Sequence, residues 1–250
     1  MFTFRTDAVH GPTTVRSSNA RTLTTMRDVF HDELDDIGAG VAEMIQLVAA
    51  AMQGGTSALL DADLLLAQKV IDADTRVDAL RVDLEDRAFQ MIARQQPVAT
   101  DLRILVTTLH LVADLERMGD LALHVAKIAR LRFPDAAVPE EARDVILQMG
   151  EVARSLVQKV GEVVEGRDIS LAQAIEAEDD SMDALRRKLF TLVLSPRWSH
   201  GTEAAIDMTL LGRYYERYAD HAVAVARRMI FIVTGRRPNA PTNGLTAPMS

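Results

Sequence analysis

The sequence predicts an all-α protein of six long helices, arranged as two tandem three-helix bundles. Composition, hydrophobic periodicity and an internal repeat each point that way. Aromatic residues are 4% of the 250, with thirteen Gly and eight Pro, against 48% hydrophobic and 26% charged residues. Sheet proteins draw more heavily on aromatic and turn residues. Long stretches place apolar residues at three-and-four spacing, the period of a helix with one buried face. The stretch LAQKVIDADTRVDALRVDL at 66 to 84 aligns without gaps on LAQAIEAEDDSMDALRRKL at 171 to 189. A repeat at such a spacing marks two copies of one structural unit.

Taken in order, residues 1 to 25 are rich in Thr, Ser and Arg without apolar periodicity and read as a disordered leader. Helix 1 is expected from 27 to 53 on the stripe Phe30, Leu34, Ile37, Val41, Met44 and Val48, with Gly54-Gly55 ending it. Thr56 and Ser57 are the expected caps of helix 2, which Pro97 stops near Gln95. Pro97 then suits the first turn of helix 3, which runs to 132. FPDAAVPEE, with Pro134 and Pro139, is the linker between halves. Helix 4 follows to 165, EGRDIS turns, helix 5 spans 169 to 194 before Pro196, and helix 6 spans 202 to 234 before Gly235. The repeats are thus 26–133 and 139–235, and 236–250 reads as a disordered tail. Short connections make successive helices in each unit antiparallel.

The net charge of −8 lacks the basic footprint of a nucleic-acid binder. The absence of cysteine removes disulfides, thiolate zinc sites and Cys nucleophiles, so any metal must be held by carboxylates or histidines. The most hydrophobic window, residues 37 to 52, is too short and amphipathic to span a bilayer, and no apolar leader region precedes it. A cytoplasmic protein without direct membrane insertion is expected.

The motif Glu-Arg-x-x-Asp occurs in LERMGDLALHVA (115 to 126) and again in YERYADHAVAVA (215 to 226), both otherwise reading as buried helix. On a wheel of about 100° per residue, Glu116 and Asp120 fall in line with Leu105, Leu109, Val112 and Leu123. Asp74 and Asp78 line up with Ala67, Val70, Ala88 and Ile92; Asp179 and Asp183 with Ile175, Phe190 and Val193. Glu216 and Asp220 share a face with Ala205, Thr209, Gly212 and Val223, small enough to leave room beside them. One like-charge i,i+4 pair costs only about 0.2–0.5 kcal/mol. Two pairs facing each other are costlier, because carboxylates about 5 Å apart repel by roughly 3 kcal/mol at an effective dielectric of 20. Four such acids strain a domain whose whole stability is about 5–15 kcal/mol. Arg81, Arg186, Arg117 and Arg217 recur beside the pairs, too few to neutralise them. Bound metal is the simplest remedy, and an all-oxygen donor set suits Mg²⁺, Mn²⁺, Ca²⁺ or iron. His124, one turn after Asp120, is a further nitrogen donor within reach, although a lone helical His is more often outside the ligand set. His221 points off the stripe, and Glu85 faces it as a partner for Arg81.

MRDVFHDEL (26 to 34), RQQPVATDLR (94 to 103) and DLERMGDLALHVAKIA (114 to 129) resemble the PhoU family of phosphate-signalling regulators. IEAEDDSMDALRRKLF and YYERYADHAVAVARRM resemble its second repeat. The resemblance implies polynuclear metal clusters (Fe, Zn, Mn or Mg) on the E/D-x-x-x-D motifs: Asp74, Asp78, Glu116 and Asp120 in one repeat, and Asp179, Asp183, Glu216 and Asp220 in the other. The family's P-x-x-x-D-L-R stretch adds Asp101 to the first set, whereas the second repeat reads RWSHGTEAA there. It further implies a non-catalytic, homodimeric negative regulator of the phosphate-starvation response and of phosphate uptake. Its partners would be the ATPase subunit of the phosphate ABC transporter and a sensor histidine kinase, and through them it would sit at the inner face of the membrane. A carboxylate-bridged di-iron enzyme of ferritin-like type remains an alternative, although such sites want Glu-x-x-His on two helices and the nearest spacing here is Asp28 to His31. A metal-free helical adaptor whose acids dock a basic partner is another.

Overall fold

The computed structural model describes residues 17–166 and 168–235. Six helices account for nearly all of them: α1 (Ser17–Asp61), α2 (Leu64–Gln95), α3 (Thr100–Arg132), α4 (Glu140–Gly166), α5 (Ile169–Val193) and α6 (Gly201–Thr234). Helices α1, α2 and α3 pack mutually, as do α4, α5 and α6, and the two bundles meet through α3 on α6 and α1 on α4. The all-α class, the number of helices and the paired bundles are those the periodicity predicts.

Several local expectations fail. First, α1 begins at Ser17, inside the stretch read as a disordered leader, of which residues 1–16 lie outside the described residues. Once a helix is anchored, each added residue brings a hydrogen bond without a new nucleation cost. Secondly, Gly54-Gly55 does not end α1. A Cβ at Gly54 would lie 2.8 Å from Val70 Cγ2, and one at Gly55 3.1 Å from the Ala122 carbonyl, so these glycines let α2 and α3 close on α1. Thirdly, α1 stops at Asp61 by a left-handed residue, Ala62, with the Asp63 amide reaching back 3.0 Å to the Ala58 carbonyl. The same Asp63 caps α2 by accepting from the Leu66 amide at 2.9 Å.

Thr56 is therefore not a cap. It lies within α1, donates to the Met52 carbonyl at 2.8 Å and, having one proton, accepts from the Tyr215 hydroxyl at 2.7 Å. Gly150 makes room for it, since a Cβ there would meet Thr56 Cγ2 at 2.6 Å. Here α1, α4 and α6 converge. Pro97 likewise sits before α3, whose first residue is Thr100. The tail, 236–250, lies outside the described residues.

By length and composition Val29–Asp61 would pass for a membrane-crossing helix, longer than the sequence window indicated. Its stripe is instead core: Phe30, Leu34, Ile37, Val41, Met44, Val48 and Met52 are buried. That core is continuous through both bundles, and the linker joins it through buried Ala137 and Val138.

Charged clasps complete the junction. Arg132 Nε donates to Asp207 Oδ2 at 2.6 Å, and Arg143 reaches the Leu60 carbonyl and, at 3.1 Å, Asp61. Asp207 is 4% exposed. Replacing Arg132 with Ala leaves that carboxylate buried without its cation, and we expect a drop in the midpoint of urea unfolding. The double variant with Asp207→Asn should recover most of it; equal loss in both would show that the ion pair is not the cause.

Candidate functional site

Because α2 and α3 run antiparallel, Asp74 and Asp78 of α2 come beside Asp120 and Glu116 of α3, and all three neighbours raise the Asp74 carboxyl. The seam between α5 and α6 repeats the pattern. Asp179 feels Asp220 and Asp183, while Asp220 feels Glu216. Eight of the nine predicted acids thus form two like clusters. Asp101 does not join them: it stands in the first turn of α3, about 22 Å along the helix from Glu116.

The acids line the rims of the seams instead of the core. Glu116 and Glu216 are the most enclosed, each with a side chain 13% exposed, whereas Asp78 and Asp220 are exposed. The buried stripe of α2 runs through Val77, Leu80 and Leu84, and that of α5 through Met182 and Leu189, one position round from the acids. Gly212 leaves no spare room, since a Cβ there would meet Leu189 Cδ2 at 3.2 Å and Arg186 Cγ at 3.9 Å.

Arginines bridge both seams at equivalent places. Arg81 Nη1 lies 3.3 Å from Glu116 Oε1, and its repeat counterpart Arg186 Nη1 lies 3.2 Å from Glu216 Oε1. Arg81 also binds Glu85 at 3.1 Å, the partner expected from the sequence. Arg117 adds a 2.9 Å contact to Asp120, and Arg213 a close one to Glu216. The charge is only partly balanced. Burial first, then Asp78, Asp120 and Glu116, push Asp74 up to about 6 against the pull of Lys127. Burial, Asp220, Asp183 and Asp180 push Asp179 up to about 6 against Arg227. Asp220 is raised by the surrounding protein and by Glu216, although much of it stays accessible.

Among the described residues, no three His, Asp or Glu side chains converge closely enough to form a metal site as they stand. The donors are nevertheless of the type hard cations take, and they carry excess negative charge. His124 turns away onto Tyr214 of α6, with ring centroids 5.1 Å apart. His221 is engaged with Asp114 at 3.2 Å.

Asp114 is a residue that wheel reasoning passed over. It is 9% exposed and accepts from His221 and, at 2.5 Å, from Arg228 Nε. Burial works to raise its carboxyl, but the His221 and Arg228 hydrogen bonds and the Arg228 charge outweigh it and hold it below the usual range. Only the α3–α6 contact reveals it, because its partners are on the other repeat.

Asp74 and Asp179 have folded-state pKa values above those of the unfolded chain, so their ionisation opposes folding. Their contribution is most favourable below about pH 4 and is lost as pH rises through 6. With chelator present, we expect the protein to gain stability from pH 7 to 5. Asp74→Asn should raise it at pH 7 by about 1 kcal/mol, a value reduced for solvent screening. A flat difference between variant and parent across that range would contradict the assignment.

A PhoU domain model matches residues 41–129 and 146–229. The chain is 48% identical over 213 residues to phosphate-specific transport system accessory protein PhoU homolog 2 of Mycobacterium tuberculosis, covering 85% of this chain and 100% of that protein. It is 46% identical over 217 residues to PhoU homolog 1 of Mycobacterium leprae, covering 87% and 98%. The crystal structure of PhoU from Pseudomonas aeruginosa superposes with a TM-score of 0.76 at 28% identity, over 83% of this chain and 100% of that one.

Proposed function

The chain belongs to the PhoU family, and from that premise we propose that it restrains the phosphate-starvation response and phosphate uptake by linking a phosphate ABC transporter to a sensor histidine kinase. Its relatives are named as accessory proteins of the phosphate-specific transport system, which supports the transporter side of this reading. It acts without catalysis, as a cytoplasmic homodimeric adaptor held at the inner face of the membrane by the transporter's ATPase subunit and the kinase.

The observation that carries the metal part is the duplicated seam of under-neutralised carboxylates. Asp74, Asp78, Glu116 and Asp120 would hold one cluster, and Asp179, Asp183, Glu216 and Asp220 the other. Iron, Zn, Mn or Mg would supply the missing positive charge and tie α2 to α3 and α5 to α6. Glu116 and Glu216 must first exchange arginine for metal, so Arg81 and Arg186 act as placeholders that keep each seam closed without it. Rotation of one helix against its neighbour is then the change a partner reads.

The test is the metal content of protein purified without chelator or metal-affinity resin, beside a variant with Glu116, Asp120, Glu216 and Asp220 changed to Ala. Several ions per chain in the parent, lost in a variant that stays helical, is the expected result. In cells the same variant should leave a phosphate-starvation reporter active in phosphate-rich medium. Equal metal in both proteins would remove these ligands; normal repression by the variant would separate metal from signalling.

A further inference from the structure

The α3–α6 junction carries a second polar site, lined by none of the seam acids. A cavity of about 410 Å³ opens between the helices, walled by Val106, Thr107, His110, Arg227, Arg228 and Phe231. Two adjacent arginines of α6 reach it, and each is tied through Nε: Arg227 donates to Glu176 at 2.6 Å, and Arg228 to Asp114 at 2.5 Å. A carboxylate on Nε sets the plane of the guanidinium while its terminal nitrogens keep their donors, the fork that oxyanions accept.

The opposite wall offers further donors. Thr107 is 4% exposed and His110 is exposed. Among the described residues, neither the Thr107 hydroxyl nor the His110 ring is held by a hydrogen bond or ion pair. One turn before Thr107, Arg103 donates to the Ile232 carbonyl at 3.1 Å and lies 5.9 Å from the Phe231 ring, while its Nε is buried without a partner. The guanidiniums of Arg227 and Arg228 thus reach the cavity already oriented by Glu176 and Asp114, with Arg103 close behind Phe231.

We propose that this cavity binds a phosphate-type oxyanion, with the terminal guanidinium nitrogens of Arg227 and Arg228, the Thr107 hydroxyl and the His110 ring as donors. Val106 and Phe231 add apolar surface beside the anion. The anion would tie α3 to α6 and so brace one bundle on the other. Free orthophosphate and a phosphomonoester share the chemistry, and the cavity leaves space beyond a bare ion. None of the eight seam acids lines the site, although Arg227 links it electrostatically to Asp179.

The experiment is calorimetric titration of the full chain, with chelator present so that no anion binds through metal. Orthophosphate is compared with a phosphothreonine peptide, against chloride at equal ionic strength. One saturable equivalent is expected, weakened at least ten-fold by Arg227→Gln and by Thr107→Val, with Arg227→Lys intermediate and helicity retained in all three. Binding of orthophosphate identifies the free ion as ligand; binding of the peptide alone identifies a phosphorylated side chain. No heat beyond the chloride control, or unchanged affinity in Arg227→Gln and Thr107→Val, would overturn the proposal. Loss of seam metal in the four-acid variant bears only on the metal reading, so the two can fail separately.

Discussion

The whole arrangement rests on α3 and α6 lying against each other. Each packs on both other helices of its own bundle and makes one of the two contacts between bundles, the other being α1 on α4, so each must present apolar surface to three neighbours at once. Leu105, Val112, Leu115, Met118, Ala122 and Val125 are buried on α3, and Met208, Leu211, Tyr215, Ala219 and Ala222 on α6. What remains for charge is a narrow strip on either side. One strip faces α2 or α5 and holds the acids; the other follows the α3–α6 contact and holds Asp114, His221 and Arg228. The two kinds of polar site are thus consequences of the same packing.

Energetically the strips differ. At the α3–α6 contact, charges meet partners of opposite sign: Asp207 with Arg132, and Asp114 with Arg228 and His221. Such pairs add little net stability over apolar packing but make the register of the two helices specific, because sliding one past the other would strand a buried charge. In the seams the balance is left open, with carboxylates outnumbering arginines and Asp74 and Asp179 pushed to about 6. Repulsion retained at two equivalent places is what added positive charge would relieve.

The duplication gives this physical economy a further consequence. Arg81 with Glu116 and Arg186 with Glu216 close their seams with nearly the same geometry, 3.3 and 3.2 Å, yet the second cations differ, Arg117 on Asp120 in one and Arg213 on Glu216 in the other. The repeats therefore share a latch and differ in how the rest of the charge is screened. Their response to the same ion need not be equal.

How much of this could be read from the chain follows from the range of each interaction. Helix class, number and most boundaries are local matters of period, caps and Pro placement, and α4, α5 and α6 fall within a residue or so of their expected ends. The repeat and the paired acids were legible for the same reason, since i,i+4 spacing and self-alignment are properties of the chain alone. Gly54-Gly55 and Thr56 were misread because their roles are set by Val70, Ala122, Gly150 and Tyr215, residues far away in sequence. Asp101, proposed from the separate P-x-x-x-D-L-R stretch, does not share the place of the seam acids, because a helix converts sequence separation into distance. The Asp114 cluster and the cavity beside it had no sequence signal, because each joins groups from different repeats. Sequence determined which helices form and which faces carry charge; only tertiary packing decided which charges meet, because that depends on how two helices from separate repeats are laid side by side.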